Sequence, residues 1–331
     1  MARSDLLLSI VKASVAGDTS ALRTSVEAIV ADERSKNHRI VADRLERVLN
    51  TVSVTPPASL NSQKNRGHDG RNVILESQPR THISDLILPL PVSKQIHELV
   101  DEQNRADLLR AHGMQPRHRL LLSGPPGNGK TSLAEATAEA LSLPFFTVRY
   151  DMLIGSFLGE TNTRLAALFE YARTVPCVLF FDEFDSIGKE RGDEHETGEI
   201  KRVVSFLLMQ IDQLPSYVVT IAATNHAELL DRAVWRRFQL KLSLPSPSET
   251  VIATFLEKQM ISWVGDPGLK AATIAKKLGK ISFSEAEEFS QNVRRKQILM
   301  RNEVPLKTIL KDEIHYWNHR VVAGKNDLQS R

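Results

Sequence analysis

The sequence predicts a doubly wound α/β fold, in which a parallel sheet of five strands is covered by helices on both faces. Five short, nearly continuous apolar runs support this prediction, because strands that are buried on both faces lack the alternation of a half-exposed strand. Predicted helices separate the first four runs, which is the connection that parallel strands require. The predicted strands are residues 119–124, 145–150, 177–183, 217–225 and 238–245.

The N-terminal part of the chain differs in composition, because Phe145 is the first aromatic residue in the sequence. The first segment must therefore pack through aliphatic side chains alone, which indicates a separate module. Residues 1–50 show helical periodicity, and we expect a small all-α module that docks a partner rather than a catalytic domain. Its apolar positions form two faces, one of Leu22, Val26, Ile29 and Val30 and one of Val41, Leu45, Val48 and Leu49.

A linker is predicted after this module. Residues 51–80 are rich in Pro, Ser, Asn and Gly and show no sustained periodicity, which is typical of connecting segments. The α/β unit is therefore expected to occupy residues 81–245.

Charge and composition argue against several classes of function. The 331-residue chain has 43 basic and 40 acidic residues, a balance that gives no overall attraction to nucleic acid or to a membrane surface. No stretch approaches the roughly 18 apolar residues of a membrane span. The single cysteine, Cys177, excludes an intramolecular disulfide and is typical of a reducing compartment. We expect a cytoplasmic protein without a membrane partner.

The strongest chemical signal is GPPGNGKT, residues 124–131, which matches the phosphate-loop pattern G-x-x-x-x-G-K-[ST] in full. It follows a predicted strand and precedes a predicted helix, as the motif requires. Lys130 can reach the β- and γ-phosphates of ATP, and the Thr131 hydroxyl can ligate Mg²⁺. A Gly/Pro turn without a ligand is the alternative. We expect ATP to contact Pro126, Gly127, Asn128, Gly129, Lys130, Thr131 and Ser132.

Two adjacent carboxylates, Asp182 and Glu183, end the apolar run CVLFFDE. The carboxyl ends of strands in open α/β sheets are where ligands bind. We assign Asp182 to the Mg²⁺ shell and Glu183 to the base that polarises the attacking water, with Asp185 in a supporting role. Taken alone, the pair would be a solvated strand end, but the phosphate loop upstream favours the catalytic assignment.

Asn225 ends another apolar run, YVVTIAATN, where its amide can hydrogen-bond the attacking water or the γ-phosphate. Arg236 and Arg237 follow just before the last predicted strand. In isolation, such an arginine pair is better explained as a cluster of surface charge. The other motifs give it a second interpretation.

Residues 81–320 resemble an ATPase of the AAA clade of AAA+ proteins, the family of membrane-anchored AAA proteases, katanin and spastin. Walker A (124–131), Walker B (177–183), sensor 1 at Asn225 and the arginine pair occur in the family's order. The family's L-D-x-A-h-h-R-P-G-R-F is shortened by two residues to L-D-R-A-V-W-R-R-F at 230–238, as in spastin-like members. The resemblance implies that the arginines reach a neighbouring subunit's nucleotide and leaves open which one is principal.

The same resemblance implies contacts to the adenine. Asp85, Leu86 and Ile87 correspond to the segment whose backbone reads the adenine edge. The helical segments after residue 245 are similar to the family's helical lid, which gives a lid of residues 246–331.

Within the lid, FSEAEE at 283–288 matches the family's S-G-A-D/E pattern, except that Glu285 stands in place of the glycine. Ala286 is the implied adenine contact.

Phe157, Leu158 and Gly159 match an aromatic-hydrophobic-glycine tripeptide that the family places in a loop facing the central pore of a hexamer. An apolar side chain on such a loop can pack against unfolded polypeptide of any sequence, and the glycine lets the loop swing. The alternative is that Phe157 is buried in the core, as phenylalanine often is. The charged segment 189–199 resembles a second pore loop and fits any solvated loop equally well.

The motifs together imply a ring ATPase, expected as a homohexamer, that uses ATP and Mg²⁺ to remodel, unfold or thread protein substrates. No His-Glu-x-x-His motif occurs in the chain, so a protease or an adaptor would be a separate partner docked on the N-terminal module. Two alternatives stay open. A nucleic-acid motor or loader is suggested by basic stretches such as RRKQILMR, and a switch or scaffold would use ATP only to assemble.

Overall fold

The computed structural model describes residues 24, 26, 28–30, 73–149, 158–185, 196–300 and 303–329. The chain divides into two compact units, Met1–Arg66 and Gly67–Arg331. In the first unit the described residues are helical, and Val30 is buried. The predicted face at 41–49 lies outside the described residues.

The second unit is built on a six-stranded sheet with the strand order β1-β3-β4-β5-β2-β6. β1 pairs antiparallel with β3, and the other neighbouring pairs are parallel. All five predicted strands lie in the parallel part, so the predicted fold class is confirmed. The strands are Ile74–Ser77 (β1), Arg119–Ser123 (β2), Phe145–Val148 (β3), Cys177–Phe181 (β4), Val218–Thr224 (β5) and Leu240–Ser243 (β6).

The sixth strand, β1, corrects one prediction. It lies inside residues 51–80, whose composition predicts a linker, and there the prediction is wrong. Ile74 pairs with Val148 across the β1–β3 ladder, while Leu75 is 57% exposed. A four-residue edge strand has neither the continuous apolar run of a central strand nor a clean alternation, so its sequence carries little signal.

The sheet is covered by helices on both faces. The helices of this α/β part are Leu90–Asn104 (α1), Ala106–Ala111 (α2), Lys130–Leu141 (α3), Leu158–Thr174 (α4), Glu196–Asp212 (α5) and Arg232–Arg237 (α6). Along β4, Leu179 and Phe181 belong to an apolar core shared with α4 and α5, whereas Val178 and Phe180 belong to one shared with α1 and α3. Side chains alternate along a strand, so one strand contributes to both cores.

A separate helical subdomain, the lid, follows β6. Its helices are Glu249–Met260 (α7), Ala271–Leu278 (α8), Phe283–Leu299 (α9) and Leu306–Gln329 (α10). It has its own apolar core, in which Leu256, Ile274, Phe289 and Leu310 are fully buried. The predicted helical C-terminal part is therefore present.

The strand order brings the sequence motifs together. β4, β5 and β2 are consecutive and parallel, so their carboxyl ends meet at one edge of the sheet. The phosphate loop follows β2, the Asp182–Glu183 pair follows β4, and Asn225 follows β5. Three motifs that are far apart in sequence therefore share one edge.

His118 lies directly before β2, at the opposite edge of the sheet, and is buried. Burial lowers the pKa of its imidazole below 6.5, and the charge of Arg119 adds to this effect while the Pro116 carbonyl opposes it. Below that pH the unfolded chain binds a proton that the folded chain does not. The contribution of His118 to the free energy of unfolding is therefore fully present above about pH 6.5. It is lost as the pH falls, by at most about 1.4 kcal/mol per pH unit.

The variant His118→Gln is expected to flatten this pH dependence, because glutamine has no proton to gain. Urea unfolding curves measured at about pH 7.5 and about pH 5.5 give the two free energies of unfolding. His97, which is exposed on α1, is the control, and His97→Gln should keep the wild-type slope. Equal slopes for wild type and His118→Gln would contradict the assignment.

Candidate active site

The phosphate loop, residues 124–131, connects β2 to α3. Gly129 precedes the first residue of α3 with φ +82°, a left-handed conformation that glycine adopts without strain. At Gly127 an added Cβ would lie 2.8 Å from Ser282 Oγ, and the Gly127 carbonyl accepts a hydrogen bond from the Ser284 N–H at 3.0 Å. The absence of a side chain at Gly127 therefore lets the lid reach the loop.

Lys130 is the first residue of α3 and is largely buried. Its Nζ donates to the carbonyl oxygens of Gly124 at 2.7 Å and Pro125 at 2.9 Å, and to Asn225 Oδ1 at 2.6 Å. Burial lowers the pKa of Lys130, while Asp182 and other nearby acidic charge oppose that effect. The structure thus brings two predicted site residues, Lys130 and Asn225, into direct contact.

Thr131 and Asp182 meet across the gap between α3 and β4. The Thr131 hydroxyl donates to Asp182 Oδ2 at 3.2 Å. Hydroxyl and carboxylate oxygens are hard donors of the kind that Mg²⁺ prefers, and a bound nucleotide adds phosphate oxygens. The two residues therefore fit the Mg²⁺ role predicted for them.

Glu183 is exposed at the same sheet edge and has a φ of +44°. Its N–H donates to Asp182 Oδ1 at 2.9 Å. A left-handed backbone at a residue with a Cβ costs about 1–3 kcal/mol and is concentrated at functional sites. Glu183 thus directly follows the Mg²⁺ ligand candidate Asp182, at the sheet edge where β4 and β5 both end.

Asp185 lies two residues further on and is buried. Its Oδ1 accepts a hydrogen bond from the Thr224 hydroxyl at 2.8 Å. Thr224 Oγ1 in turn accepts from the His226 N–H at 3.0 Å. These bonds connect the segment after β4 with the segment that carries Asn225.

The two arginines of α6 have different surroundings. Arg237 is half-buried and forms an ion pair with Asp212, the last residue of α5. Arg119 forms an ion pair with the same carboxylate. Arg236 is exposed, and within the part of the chain that the structure describes it has no hydrogen bond or ion pair.

A cavity of about 940 Å³ lies between the phosphate loop and the lid. Asn128 lines it and is only 5% exposed, yet neither Oδ1 nor Nδ2 of its amide has a hydrogen-bond partner among the described residues. A buried amide without a partner is costly, so a polar ligand in the cavity would relieve that cost. The lining residues are 125–128, 246–249, 279–282 and Glu285.

The predicted adenine contacts are not among the lining residues. Leu86 packs against the core under α1 and α3. Asp85 lies in a single turn of 3-10 helix, and its carbonyl oxygen accepts a hydrogen bond from Lys258 Nζ at 3.4 Å. Ala286 is fully buried in the lid core. The cavity instead meets the start of α9, and these adenine contacts stay predictions.

Ser282 and Glu285 are lid residues that line the cavity and that the sequence analysis did not assign to the site. Ser282 caps α9 by accepting from the Glu285 N–H, and the Glu285 carboxylate accepts from both the N–H and the hydroxyl of Ser282. The S-x-x-E spacing of this capping box was the available sequence signal. It puts Glu285, the residue that departs from the family pattern, at the cavity.

The proposed pore tripeptide is only partly covered by the structure. Leu158 and Gly159 are the first residues of α4, and Phe157 lies outside the described residues. Most of the charged segment 189–199 also lies outside them.

Fold and site together define a phosphate-loop ATPase, and comparison with known proteins shows its family. Residues 120–246 match the family described as "ATPase family associated with various cellular activities (AAA)". The chain is 35% identical over 308 residues to "Uncharacterized AAA family ATPase y4kL" of Sinorhizobium fredii, with 92% of each chain covered. The chain therefore belongs to the AAA family and is an ATPase, as predicted.

Two relatives with named roles share only part of their length with the chain. "Peroxisomal ATPase pex6" of Schizosaccharomyces pombe is 43% identical over 134 residues, which are 39% of this chain and 14% of the relative. "ATP-dependent zinc metalloprotease FtsH 2" of Symbiobacterium thermophilum is 33% identical over 194 residues, 56% of this chain and 33% of the relative. Among the described residues, no helix has the length and hydropathy to span a membrane.

Proposed function

We propose that the chain is a subunit of an ATP-driven ring, most simply a homohexamer, that remodels or unfolds protein substrates. The main support is a difference in position between the site residues and Arg236. Lys130, Asp182, Glu183 and Asn225 converge on one sheet edge, whereas Arg236 is exposed without an intrachain partner in the described residues. An arginine on the outer surface is available to the nucleotide of a second copy of the chain.

In the proposed reaction each site residue has one task. Lys130 moves from its present oxygen partners to the β- and γ-phosphates of ATP. Thr131 and Asp182 would hold Mg²⁺, which would supply charge stabilisation at the phosphates. Glu183 accepts the proton of the attacking water, and the Asn225 amide, released by Lys130, orients that water.

The sequence left open whether Arg236 or Arg237 is the principal arginine at the neighbouring nucleotide. We propose that the two residues have different roles. Arg237 would have to break its ion pair with Asp212 before it could reach outward. Arg236 has no such constraint among the described residues. We therefore assign Arg236 to the neighbouring nucleotide and Arg237 to anchoring the end of α6.

A protein substrate is supported by two sequence features. Leu158 and Gly159 begin α4, and with Phe157, which precedes them in the sequence, they match the family's pore-facing tripeptide. The related chains include a peroxisomal ATPase and an ATP-dependent protease. The sequence has no His-Glu-x-x-His motif of its own. A protease or adaptor would therefore be a separate partner, with residues 1–50 as its proposed docking module in the cytoplasm.

The test of this function is Phe157→Ala. We expect the variant to bind ATP and keep basal hydrolysis within about threefold of wild type, because the change is outside the phosphate site, while unfolding of a tagged model substrate is lost. Met152→Ala, in the same segment, is the control and should keep unfolding activity. Loss of folding in Phe157→Ala would favour a core role, and hydrolysis stimulated by single-stranded DNA but not by unfolded protein would favour a nucleic-acid motor.

A further inference from the structure

The hydrogen bond between Asp185 and Thr224 links the two segments that carry the proposed water-handling groups. We propose that this pair, the 185–224 latch, positions Glu183 relative to Asn225 for hydrolysis. The proposal adds Thr224 to the ATPase reaction as a positioning residue and defines the supporting role of Asp185. It rests on the roles proposed above for Glu183 and Asn225.

The latch is buried, and the donor and the acceptor of its hydrogen bond are defined. Thr224 has 0% of its surface exposed and Asp185 has 6%, so neither group can exchange its partner for bulk water. The threonine hydroxyl has one proton, which it donates to Asp185, and its oxygen accepts from the His226 N–H. A buried carboxylate without such donors would be strongly disfavoured. Thr224 therefore serves Asp185 and the backbone after β5 at once.

On the β5 side, the latch holds the backbone on both sides of Asn225. Thr224 is bonded through its side chain, and His226 is bonded through its N–H to the same hydroxyl. Asn225, between them, accepts the hydrogen bond from Lys130 Nζ at 2.6 Å. Its amide is thus carried on a backbone segment fixed to Asp185.

On the β4 side, the latch supports a strained turn. Glu183 has a φ of +44°, and its N–H is held by Asp182 Oδ1. Asp182 also accepts from Thr131, while Asp185 is held by Thr224 two residues after Glu183. Strained residues persist where the surrounding contacts over-determine them. The backbone at Glu183 is therefore held by hydrogen bonds on both sides, and one of them, which Thr224 donates to Asp185, comes from β5.

A purely structural role for the hydroxyl is the competing explanation, and the chain contains its own control. Thr220 is on the same strand and the same face as Thr224, because side chains four residues apart in a strand point the same way. It is also fully buried, and its hydroxyl has no hydrogen-bond partner among the described residues. Thr220→Val therefore repeats the loss of a buried hydroxyl on β5 without touching the latch.

The test compares Thr224→Val, Thr224→Ser and Thr220→Val in the full-length chain. We expect Thr224→Val to lower kcat by about tenfold or more while the Kd of a fluorescent ATP analogue changes less than about threefold. Thr224→Ser keeps the hydroxyl and should retain at least about half of the wild-type kcat, and Thr220→Val should match wild type. Thermal melting is measured for all three. A kcat of Thr224→Val equal to that of Thr220→Val overturns the latch.

A double-mutant cycle gives a second, independent readout. If Asp185 and Thr224 act as a unit, the kcat of Asp185→Ala/Thr224→Val should equal that of the worse single variant; additive losses overturn the proposal. If Thr224→Val does not fold, Asp185→Asn decides, since its amide oxygen still accepts the threonine hydroxyl and kcat should stay within about threefold of wild type. A larger loss of kcat overturns the latch.

Glu183→Gln, run in parallel, separates this proposal from the roles on which it rests. Full turnover in Glu183→Gln would remove the base assignment itself. Loss of turnover in Glu183→Gln together with normal turnover in Thr224→Val would remove only the latch.

Discussion

Glu183→Gln is expected to lower ATP turnover by about 10²- to 10⁴-fold while ATP still binds. Glutamine keeps the size of the side chain and loses the carboxylate that takes the proton of the attacking water. The contacts of Lys130, Thr131 and Asp182 do not involve the Glu183 side chain, so the phosphate-binding groups stay in place. Steady-state phosphate release gives turnover, and equilibrium dialysis with labelled ATP gives binding.

Glu228→Gln is the matched control for this variant. Glu228 is an exposed carboxylate that follows β5 and contacts His226 Nδ1 at 3.1 Å. The same chemical change there should leave turnover unaltered. Wild-type turnover in Glu183→Gln would assign the base elsewhere. If turnover is lost as expected, the ATP-loaded variant is also a trap for substrate capture.

The two arginines are expected to give opposite phenotypes. Arg236→Ala should lower turnover of the assembled protein by about 10³-fold without changing the melting temperature, because it removes charge stabilisation from the neighbouring nucleotide. Arg237→Ala should lower the free energy of unfolding by about 1 kcal/mol, because it removes a half-exposed ion pair with Asp212. Arg232→Ala, an exposed residue on the same helix, is the control and should change neither quantity.

A mixing experiment tests whether Arg236 acts between subunits. Lys130→Ala subunits lack the phosphate lysine but carry Arg236, whereas Arg236→Ala subunits keep an intact nucleotide site. Mixed rings should therefore recover part of the wild-type turnover, although each variant alone is inactive. Absence of recovery counts against action in trans. A larger turnover loss in Arg237→Ala than in Arg236→Ala would reverse the assignment.

The sheet and the phosphate site could be predicted because their signals are local. The five central strands are apolar runs that need no knowledge of their partners, and the phosphate loop is recognised by glycines and a lysine at fixed spacing. Asp182, Glu183 and Asn225 could be placed with it, because the ends of parallel strands share one sheet edge. The edge strand β1 escaped prediction, since half-exposed residues at an edge carry no period.

The difference between the arginines could not be predicted, because it depends on a residue distant in sequence. Arg236 and Arg237 are adjacent and chemically identical, and only the position of Asp212 at the end of α5 separates them. The same holds for Thr224 and Thr220, because among the described residues the Thr224 hydroxyl meets Asp185 and the Thr220 hydroxyl has no partner. Sequence patterns identify residue types that are suited to a reaction. Packing between elements decides which of two identical residues performs it.

The contact between Gly127 and Ser284 has a consequence for signalling within the subunit. It joins two main-chain groups, the Gly127 carbonyl and the Ser284 N–H, so it does not depend on the identity of the lid side chain. Since α9 is a single helix of 17 residues whose Phe289 and Val293 are buried in the lid core, a shift of the loop upon phosphate binding would be conveyed from the start of α9 into that core. Gly127 thus couples the occupancy of the phosphate site mechanically to the lid.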